Sequence, residues 1–262
     1  MDVFFPEPKV NKGGRMRPII GVNMDFSEYG NYQPNDLRFR NAYKIYTPYV
    51  DAVEKYGGIV LPIPPLEELK ALDDYVKLAQ GFIFSGGDDY PSESYNETQH
   101  PASKIMHRRR ADADLYLARK VLKTNKPILA ICGGIQLINI IYGGKLIQHL
   151  NHLEIHNKRN KTTDNKHKIK IVKNSLLYQI LKKEELEVNS AHHQAADPRY
   201  IGKDLMITAT ASDGIVEALE LRKPEGRFFL AVQWHPERMD DEEHKKLIFS
   251  NFINAAAHFS PL

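Results

Sequence analysis

Short runs of consecutive apolar residues alternate, along the first half of the chain, with longer segments whose apolar positions recur every three or four residues. The runs have the length of strands buried on both faces, and the recurring segments have the spacing of helices that pack on a sheet. Regular alternation of strand and helix is typical of a doubly wound, mostly parallel sheet. The pattern therefore predicts an α/β fold.

The last three predicted strands are separated only by short segments of turn composition, at 212–214 and 224–226. Successive hairpins there predict an antiparallel C-terminal extension to a flavodoxin-like sheet. Predicted strands cover 18–22, 59–63, 81–84, 127–131, 145–148, 167–172, 186–190, 205–211, 216–221 and 228–233. Predicted helices cover 39–56, 66–78, 106–122, 135–141, 175–181 and 241–258. Since no repeat or linker is visible, we expect one domain over 17–262 behind an irregular leader at 1–16.

Composition is that of an ordinary globular protein, with 262 residues, 42% hydrophobic and 26% charged. A net charge of only +3 gives no reason to expect nucleic acid or an acidic membrane as a partner. No segment resembles a membrane span or a signal peptide. The single cysteine excludes an internal disulfide, and a cytoplasmic setting would keep its thiol usable. We therefore expect a cytoplasmic protein that acts on a small molecule, and composition leaves a homodimer open.

The one cysteine, Cys132, stands where a buried strand gives way to a buried helix. Ala130 and Gly134 lie two residues before and two after it, which is the spacing of a nucleophile elbow. The position places the sulfur at a helix N-terminus, where free N–H groups favour the thiolate. It also leaves the amide of Gly133 free to face an oxyanion. A buried structural cysteine would satisfy the same spacing.

A candidate base follows far downstream, where the apolar run 228–233 ends in Trp234, His235, Pro236 and Glu237. A cysteine nucleophile needs a base, usually histidine, that a third group orients. A strand that ends in His, and then Glu two residues later, offers both groups. The sequence therefore makes His235 the candidate base and Glu237 the group that orients it.

A glycine-rich turn, Ser85-Gly86-Gly87-Asp88-Asp89, directly follows the predicted strand 81–84. Such a turn at the carboxyl end of a parallel strand can aim backbone N–H groups into the crevice where ligands bind. It lacks the Lys-Ser/Thr pair and the glycine spacing of a phosphate loop. The paired aspartates raise the option of a metal, although capping of the turn explains them more simply.

The motifs AICGGIQ around Cys132 and QWHPE around His235 resemble the class I glutamine amidotransferase superfamily, with its Cys-His-Glu triad. The segments VNSAHHQAADP at 188–198 and SGGDDYPSESY at 85–95 are similar to one branch, the gamma-glutamyl-gamma-aminobutyrate hydrolase-like cysteine peptidases. The four motifs stand in the family's order, and the resemblance extends from about residue 18 onward. One departure is visible: many members of this branch have Arg directly after the nucleophile, where this chain has Gly133.

The resemblance implies a hydrolase that cleaves the gamma-glutamyl amide of a small amine or peptide through a thioester on Cys132. It assigns His235 and Glu237 to the triad, and the amides of Gly87 and Gly133 to an oxyanion hole. The residues that it suggests for substrate contacts are Gly86, Asp88, Gln136, His192 and His193. It implies no cofactor. Two alternatives stay open: an ammonia-donating glutaminase subunit that serves a separate synthetase, and a non-catalytic binding module on the same fold.

Two polar segments are interpreted as solvent-exposed. A basic run at 107–110 opens the helix 106–122, and basic runs usually form a solvated face. The stretch 149–165 is rich in His and Lys. Histidine clusters can bind metal, but neither Cys nor a carboxylate stands at ligand spacing, so the sequence predicts no metal site. We expect an exposed loop beside the site, of the kind that often recognises substrate.

Overall fold

A computed structural model describes residues 17–28, 41–157 and 163–259. The predicted leader at 1–16 lies outside the described residues. The strands are β1 Ile19–Asn23, β2 Asp25–Ser27, β3 Ala42–Lys44, β4 Ile59–Ile63, β5 Gly81–Phe84, β6 Ile128–Ile131, β7 Leu146–Ile147, β8 Asn165–Ile171, β9 Glu185–Ser190, β10 Ala195–Ala196, β11 Leu205–Ala211, β12 Val216–Leu221 and β13 Phe229–Val232. The α-helices are α1 Thr47–Lys55, α2 Leu72–Leu78, α3 Arg108–Leu122, α4 Gly133–Ile141, α5 Leu153–His156, α6 Leu176–Leu181 and α7 Glu242–Ala257.

The main sheet has nine strands in the order β4-β1-β5-β6-β13-β12-β11-β8-β9. The first five run parallel to one another, and each of the last four is antiparallel to its neighbour. The predicted parallel sheet with an antiparallel C-terminal extension is therefore confirmed. Its centre matters for function, because β5, β6 and β13 are adjacent and their carboxyl ends lie at one edge.

Two hydrophobic clusters cover the two faces of the sheet. Leu129 and Ile131 of β6 pack into one cluster, with residues of α1, α6 and α7. Ile128 and Ala130 of the same strand pack into the other, with residues of α2, α3 and α4. Successive side chains of a strand point to opposite faces, so a strand between two helical layers needs apolar residues throughout. This explains the uninterrupted apolar run from which the strand was predicted.

Three sequence predictions about elements need correction. The predicted helix 39–56 begins only at Thr47, because Pro48 suits the first turn of a helix and not its interior. Ahead of it, residues 42–44 form β3, which pairs with β2. The predicted helix 66–78 is a single 3-10 turn, Leu69–Ala71, followed by α2. The polar stretch 149–165, predicted as a loop, contains the short helix α5.

Candidate active site

Cys132 sits in a strained turn between β6 and α4, with φ 53° and ψ −105°. A positive φ is unfavourable for a residue with a side chain, so the surrounding structure must enforce it. The amide of Cys132 donates to Val232 O at 2.8 Å, which ties the turn to β13. Gly134 lies so close to β5 that a Cβ there would be 2.3 Å from Phe84 O. The small residue at 134 is therefore required by a backbone contact.

His235 lies at the end of β13 and is held from both sides. Its Nδ1 is 2.7 Å from Glu237 Oε1, and because a carboxylate only accepts, Nδ1 carries the proton. The Cys132 side chain is the second group that interacts with the ring, and it helps to raise the histidine pKa. Both side chains pack on Gly86, where a Cβ would lie 3.2 Å from His235 Cε1 and 3.3 Å from Cys132 Cβ. The structure therefore brings Cys132, His235 and Glu237 into one connected group.

The charge on His235 follows from this setting. Burial lowers the pKa of the imidazole, but the charges of Glu237 and Cys132 outweigh burial and raise the pKa to about 10. A raised histidine pKa means that the protonated form persists through neutral pH. The arrangement therefore favours an imidazolium beside the Cys132 sulfur.

The backbone amides of Gly87 and Gly133 lie next to each other beside Cys132. A Cβ on Gly133 would be 3.3 Å from Gly87 N. Within the described ranges, neither amide donates a hydrogen bond to a protein group. The amide of Gly86 differs, because it donates to Tyr49 Oη at 3.0 Å. Two adjacent free donors beside a thiol form a site that can stabilise an oxyanion.

Arg110 holds the glycine turn in place, and for this residue the predicted solvated face at 107–110 is wrong, although Arg108 is exposed as predicted. The side chain is 1% exposed, and its Nη2 donates to Gly86 O at 3.0 Å. Its guanidinium pairs with Asp114 at 3.1 Å and with Asp25 at 2.9 Å. The signal was available in the sequence: Arg110 and Asp114 are four residues apart on the helix face that also carries Leu117, which is buried.

Two further residues that sequence reasoning missed support the group. Asn189 of β9 accepts from the amide of His235 at 3.0 Å and donates to its carbonyl at 3.1 Å. It thereby fixes the backbone that carries the imidazole. Gln233 Nε2 donates to Cys132 Sγ at 3.7 Å. Asn189 gave no local signal, because it lies 46 residues before His235 in the sequence.

Four of the five residues suggested for substrate contacts fall into two classes. Gly86 and Asp88 belong to the turn beside Cys132, and Asp88 is exposed. Gln136 is buried and donates to Gln194 O at 3.1 Å. His192 is also buried, with Nδ1 3.0 Å from Gln194 O. Gln136 and His192 therefore use polar atoms inside the fold.

His193, the fifth of these residues, links the polar stretch 149–157 to the glycine turn. Its Nε2 is 3.0 Å from both carboxylate oxygens of Asp89, and its Nδ1 is 3.2 Å from His149 Nδ1. Asp89 also accepts from the amide of Lys104 at 2.7 Å. Its carboxylate thus joins the glycine turn to a separate loop, and among the described residues it does not cap its own turn as the sequence suggested. This chain of contacts places the segment after β7 beside the candidate site.

Comparison with known proteins identifies the family. The sequence pattern of the family described as Peptidase C26 matches residues 18–237. The chain belongs to the Peptidase C26 family. Protein NtpR of Enterococcus hirae is 33% identical over 231 residues, covering 85% of this chain and 92% of that protein. Gamma-glutamyl-gamma-aminobutyrate hydrolase of Escherichia coli O157:H7 is 26% identical over 260 residues, covering 92% of this chain and 94% of that protein.

These matches confirm the resemblance to the class I glutamine amidotransferase superfamily and its gamma-glutamyl-gamma-aminobutyrate hydrolase-like branch. Among solved structures, the glutaminase domain of Trypanosoma brucei CTPS with bound acivicin superimposes with a TM-score of 0.62 at 19% identity, covering 94% of this chain and 96% of that one. That likeness concerns the fold. The Peptidase C26 family and its amidotransferase-like members support a hydrolase or glutaminase type of function. Among the helices of the described ranges, none has the length and apolar character needed to cross a membrane.

Proposed function

We propose that this Peptidase C26 protein hydrolyses the gamma-glutamyl amide bond of a small gamma-glutamyl amine or peptide, with Cys132 as nucleophile. The observation that carries the proposal is the convergence of three features at one sheet edge. A strained turn presents a thiol, a carboxylate-bound imidazole contacts that thiol, and two unpaired amides lie beside it. These are the parts that acyl transfer through a covalent intermediate requires.

In the proposed first half-reaction, the Cys132 sulfur attacks the δ-carbonyl carbon of the substrate. The carbonyl oxygen becomes an oxyanion, which accepts hydrogen bonds from the amides of Gly87 and Gly133. One such donor contributes roughly 3–4 kcal/mol in known cases. His235 then gives its proton to the leaving amine as the C–N bond breaks. The product of this half is a gamma-glutamyl thioester and a free amine.

In the second half-reaction, water attacks the thioester and His235 takes its proton. Collapse of the second tetrahedral intermediate breaks the C–S bond and releases glutamate. Glu237 keeps the imidazole in the tautomer that faces the sulfur and stabilises its charged form. The raised pKa of His235 supports this cycle, because the proton needed by the leaving amine is already bound at neutral pH.

The glutamyl half of the substrate is proposed to contact the turn Gly86–Asp88 and His193, which borders it through Asp89. For Gln136 and His192 we propose an indirect role, because their polar atoms already hold the loop that carries His193. The departure at Gly133 fits this arrangement. A Cβ at position 133 would stand 3.3 Å from Gly87 N. Because glycine has no Cβ, the space between the two amides stays open.

An ammonia-donating glutaminase is the second candidate, favoured by the likeness to the glutaminase domain of Trypanosoma brucei CTPS. It would use the same residues with ammonia as the leaving amine. The contacts of the 149–157 segment with the glycine turn favour a site covered by its own chain over one completed by a partner. For that reason we place stand-alone hydrolysis first, and cytoplasmic location stays a prediction.

The thioester is the most direct test of the proposed chemistry. Acid quenching of the protein during turnover of a gamma-glutamyl amide should leave a gamma-glutamyl adduct on the peptide that contains Cys132, read by mass spectrometry. Cys132→Ser should carry no such adduct and lose turnover. His235→Ala should lower turnover by orders of magnitude while the fold persists, since the side chain sits at a strand end. Full activity in either variant would show that the assignment is wrong.

A further inference from the structure

Four titratable side chains form a second buried group, which we call the histidine cluster. It consists of His156 from α5, His167 from β8, His192 from the loop after β9, and Glu217 from β12. Each side chain is at most 5% exposed. Glu217 O accepts the amide of Gln233, so the cluster lies one strand away from the strand that ends at His235. The proposed reaction uses none of these four side chains directly.

All three imidazoles approach the same carboxylate oxygen. Glu217 Oε1 is 3.1 Å from His167 Nε2, 3.5 Å from His192 Nε2 and 3.6 Å from His156 Nδ1. A tetrahedral metal with bonds of about 2.0–2.2 Å holds its ligand atoms about 3.3–3.6 Å apart. The donor atoms of His156, His167 and Glu217 also all lie within 4.8 Å of one another. The spacing is therefore that of ligands around one small cation.

Contacts on the far side of two rings fix their tautomers. His156 Nε2 is 2.9 Å from Asp213 Oδ2, and His192 Nδ1 is 3.0 Å from Gln194 O. Both partners only accept, so those nitrogens carry the protons. In the neutral rings, the opposite nitrogens then present lone pairs to Glu217. Histidine ligands of metals are oriented in this way, by a carboxylate or a backbone carbonyl on the other nitrogen.

Lone pairs that face a buried carboxylate repel it unless a positive charge stands between them. Six polar atoms of the cluster make no hydrogen bond with any other group of the described residues: His156 Nδ1, both ring nitrogens of His167, His192 Nε2 and both oxygens of Glu217. A bound cation would satisfy His156 Nδ1, His167 Nε2 and a Glu217 oxygen, whereas His167 Nδ1 lies on the other side of its ring.

We propose that the histidine cluster binds one divalent transition-metal ion, Zn²⁺ by the chemistry of its donors. His156 Nδ1, His167 Nε2 and a Glu217 oxygen are the three protein ligands, and His192 Nε2 lies beside them, 3.5 Å from Glu217 Oε1. Imidazole and carboxylate donors suit Zn²⁺, and three protein ligands leave the fourth position of its tetrahedron open. The ion would join α5, β8 and β12 beside the strand of His235. This inference goes beyond the proposed function and does not depend on it.

The full chain should be stripped with a chelator, incubated with one equivalent of Zn²⁺, desalted and analysed for metal and thermal unfolding. We expect about one Zn²⁺ per chain and a higher Tm than in the stripped protein, because an ion that binds only the folded state stabilises it. Cys132→Ser should retain the ion, which separates this site from the thiol. Retention in that inactive variant also keeps the result independent of the proposed function.

Substitutions then assign the ligands. His156→Gln and His167→Gln should each lower Zn²⁺ retention, whereas His152→Gln, at an exposed side chain next to α5, should leave it unchanged. Co²⁺ in stripped Cys132→Ser should give the visible absorption of a tetrahedral site. If a ligand variant fails to fold, the wild-type measurement decides. Wild type that retains no Zn²⁺ above background with an unchanged Tm, or an equal loss in His152→Gln, would overturn the proposal.

Discussion

At the scale of single residues, Glu237 helps to set the pH up to which the imidazole of His235 stays protonated. The pKa of His235 is raised to about 10, so the imidazolium persists below that pH and is lost as the pH rises through it. The proposed mechanism needs that proton for the leaving amine. Activity should therefore fall on the alkaline side when the proton is lost, and removal of the Glu237 charge should move this limb to lower pH.

Glu237→Gln tests this coupling. The amide keeps the shape of the side chain but not the charge that raises the histidine pKa. We expect kcat to fall by about 10²–10⁴-fold and the alkaline limb of kcat/KM to shift down by a pH unit or more. The matched control is Glu243→Gln, which changes a carboxylate in the first turn of α7. An unshifted limb in Glu237→Gln would show that Glu237 does not set the protonation of His235.

Reactivity of the single thiol is a second residue-scale prediction. Cys132 lies at the N-terminus of α4 and contacts an imidazole that is protonated at neutral pH. Both features stabilise the negative charge that the sulfur carries as it attacks an alkylating agent. We expect iodoacetamide to modify Cys132 at pH 7 faster than free cysteine, and His235→Ala to slow the reaction. A thiol that reacts only after unfolding would instead indicate a structural cysteine.

At the scale of elements, α3 positions the glycine turn after β5 through one guanidinium. Arg110 contacts Gly86 O and Ser85 Oγ with the same terminal nitrogen while its other nitrogens pair with Asp114 and Asp25. The planar guanidinium holds these four acceptors in fixed directions, whereas a lysine ammonium carries its three donors on one atom and cannot reach all four. The orientation of the Gly87 amide therefore depends on a residue that we do not expect to contact substrate.

Arg110→Lys keeps the positive charge but removes the planar guanidinium group. We expect the variant to fold, because the buried carboxylate of Asp114 retains a cation, and its kcat to drop by about tenfold or more while KM changes little. Arg108→Lys is the matched control, since Arg108 is two-thirds exposed on the same helix. Equal kinetics in the two variants would contradict a positioning role for Arg110. The measurement is steady-state kcat and KM on one gamma-glutamyl amide.

Packing of α4 against β5 gives a stability prediction. In Gly134→Ala the new Cβ would lie 2.3 Å from Phe84 O, a backbone atom that cannot move alone. We expect the free energy of unfolding to fall by about 3 kcal/mol. Gly214→Ala is the control, because it meets nothing within 4 Å and adds only the strain of its φ of +85°, about 1 kcal/mol. Urea unfolding compares the two, and equal losses would contradict the close contact.

At the scale of the whole molecule, the sheet was predictable because its central strands are buried on both faces. Only unbroken apolar runs such as 128–131 can fill such positions, and they are visible in a single sequence. The turn around Cys132 was predictable for a similar reason, since its small neighbours are required by backbone contacts. The predicted start of the first helix at residue 39 is wrong, because the helix begins at Thr47 and Pro48 stands in its first turn.

Residues that depend on long-range pairing could not be placed from the sequence. Asn189 contacts the backbone of His235 across 46 residues of sequence, and Glu217 faces histidines from α5, β8 and the loop after β9. Arg110 was misjudged because a basic run is solvated more often than it is buried. The candidate triad could be predicted from strand ends and the family's motifs alone. The residues that support it could be found only in the folded structure.

The central claim is that the isolated chain cleaves gamma-glutamyl amines at the site built around Cys132. The most direct measurement is kcat/KM for gamma-glutamyl-gamma-aminobutyrate and other gamma-glutamyl amines against kcat/KM for glutamine, with no second protein present. We predict that at least one gamma-glutamyl amine has the higher value and that Cys132→Ser abolishes it. A clear preference for glutamine, or activity that arises only when a second protein is added, would contradict the account and favour an ammonia-donating glutaminase.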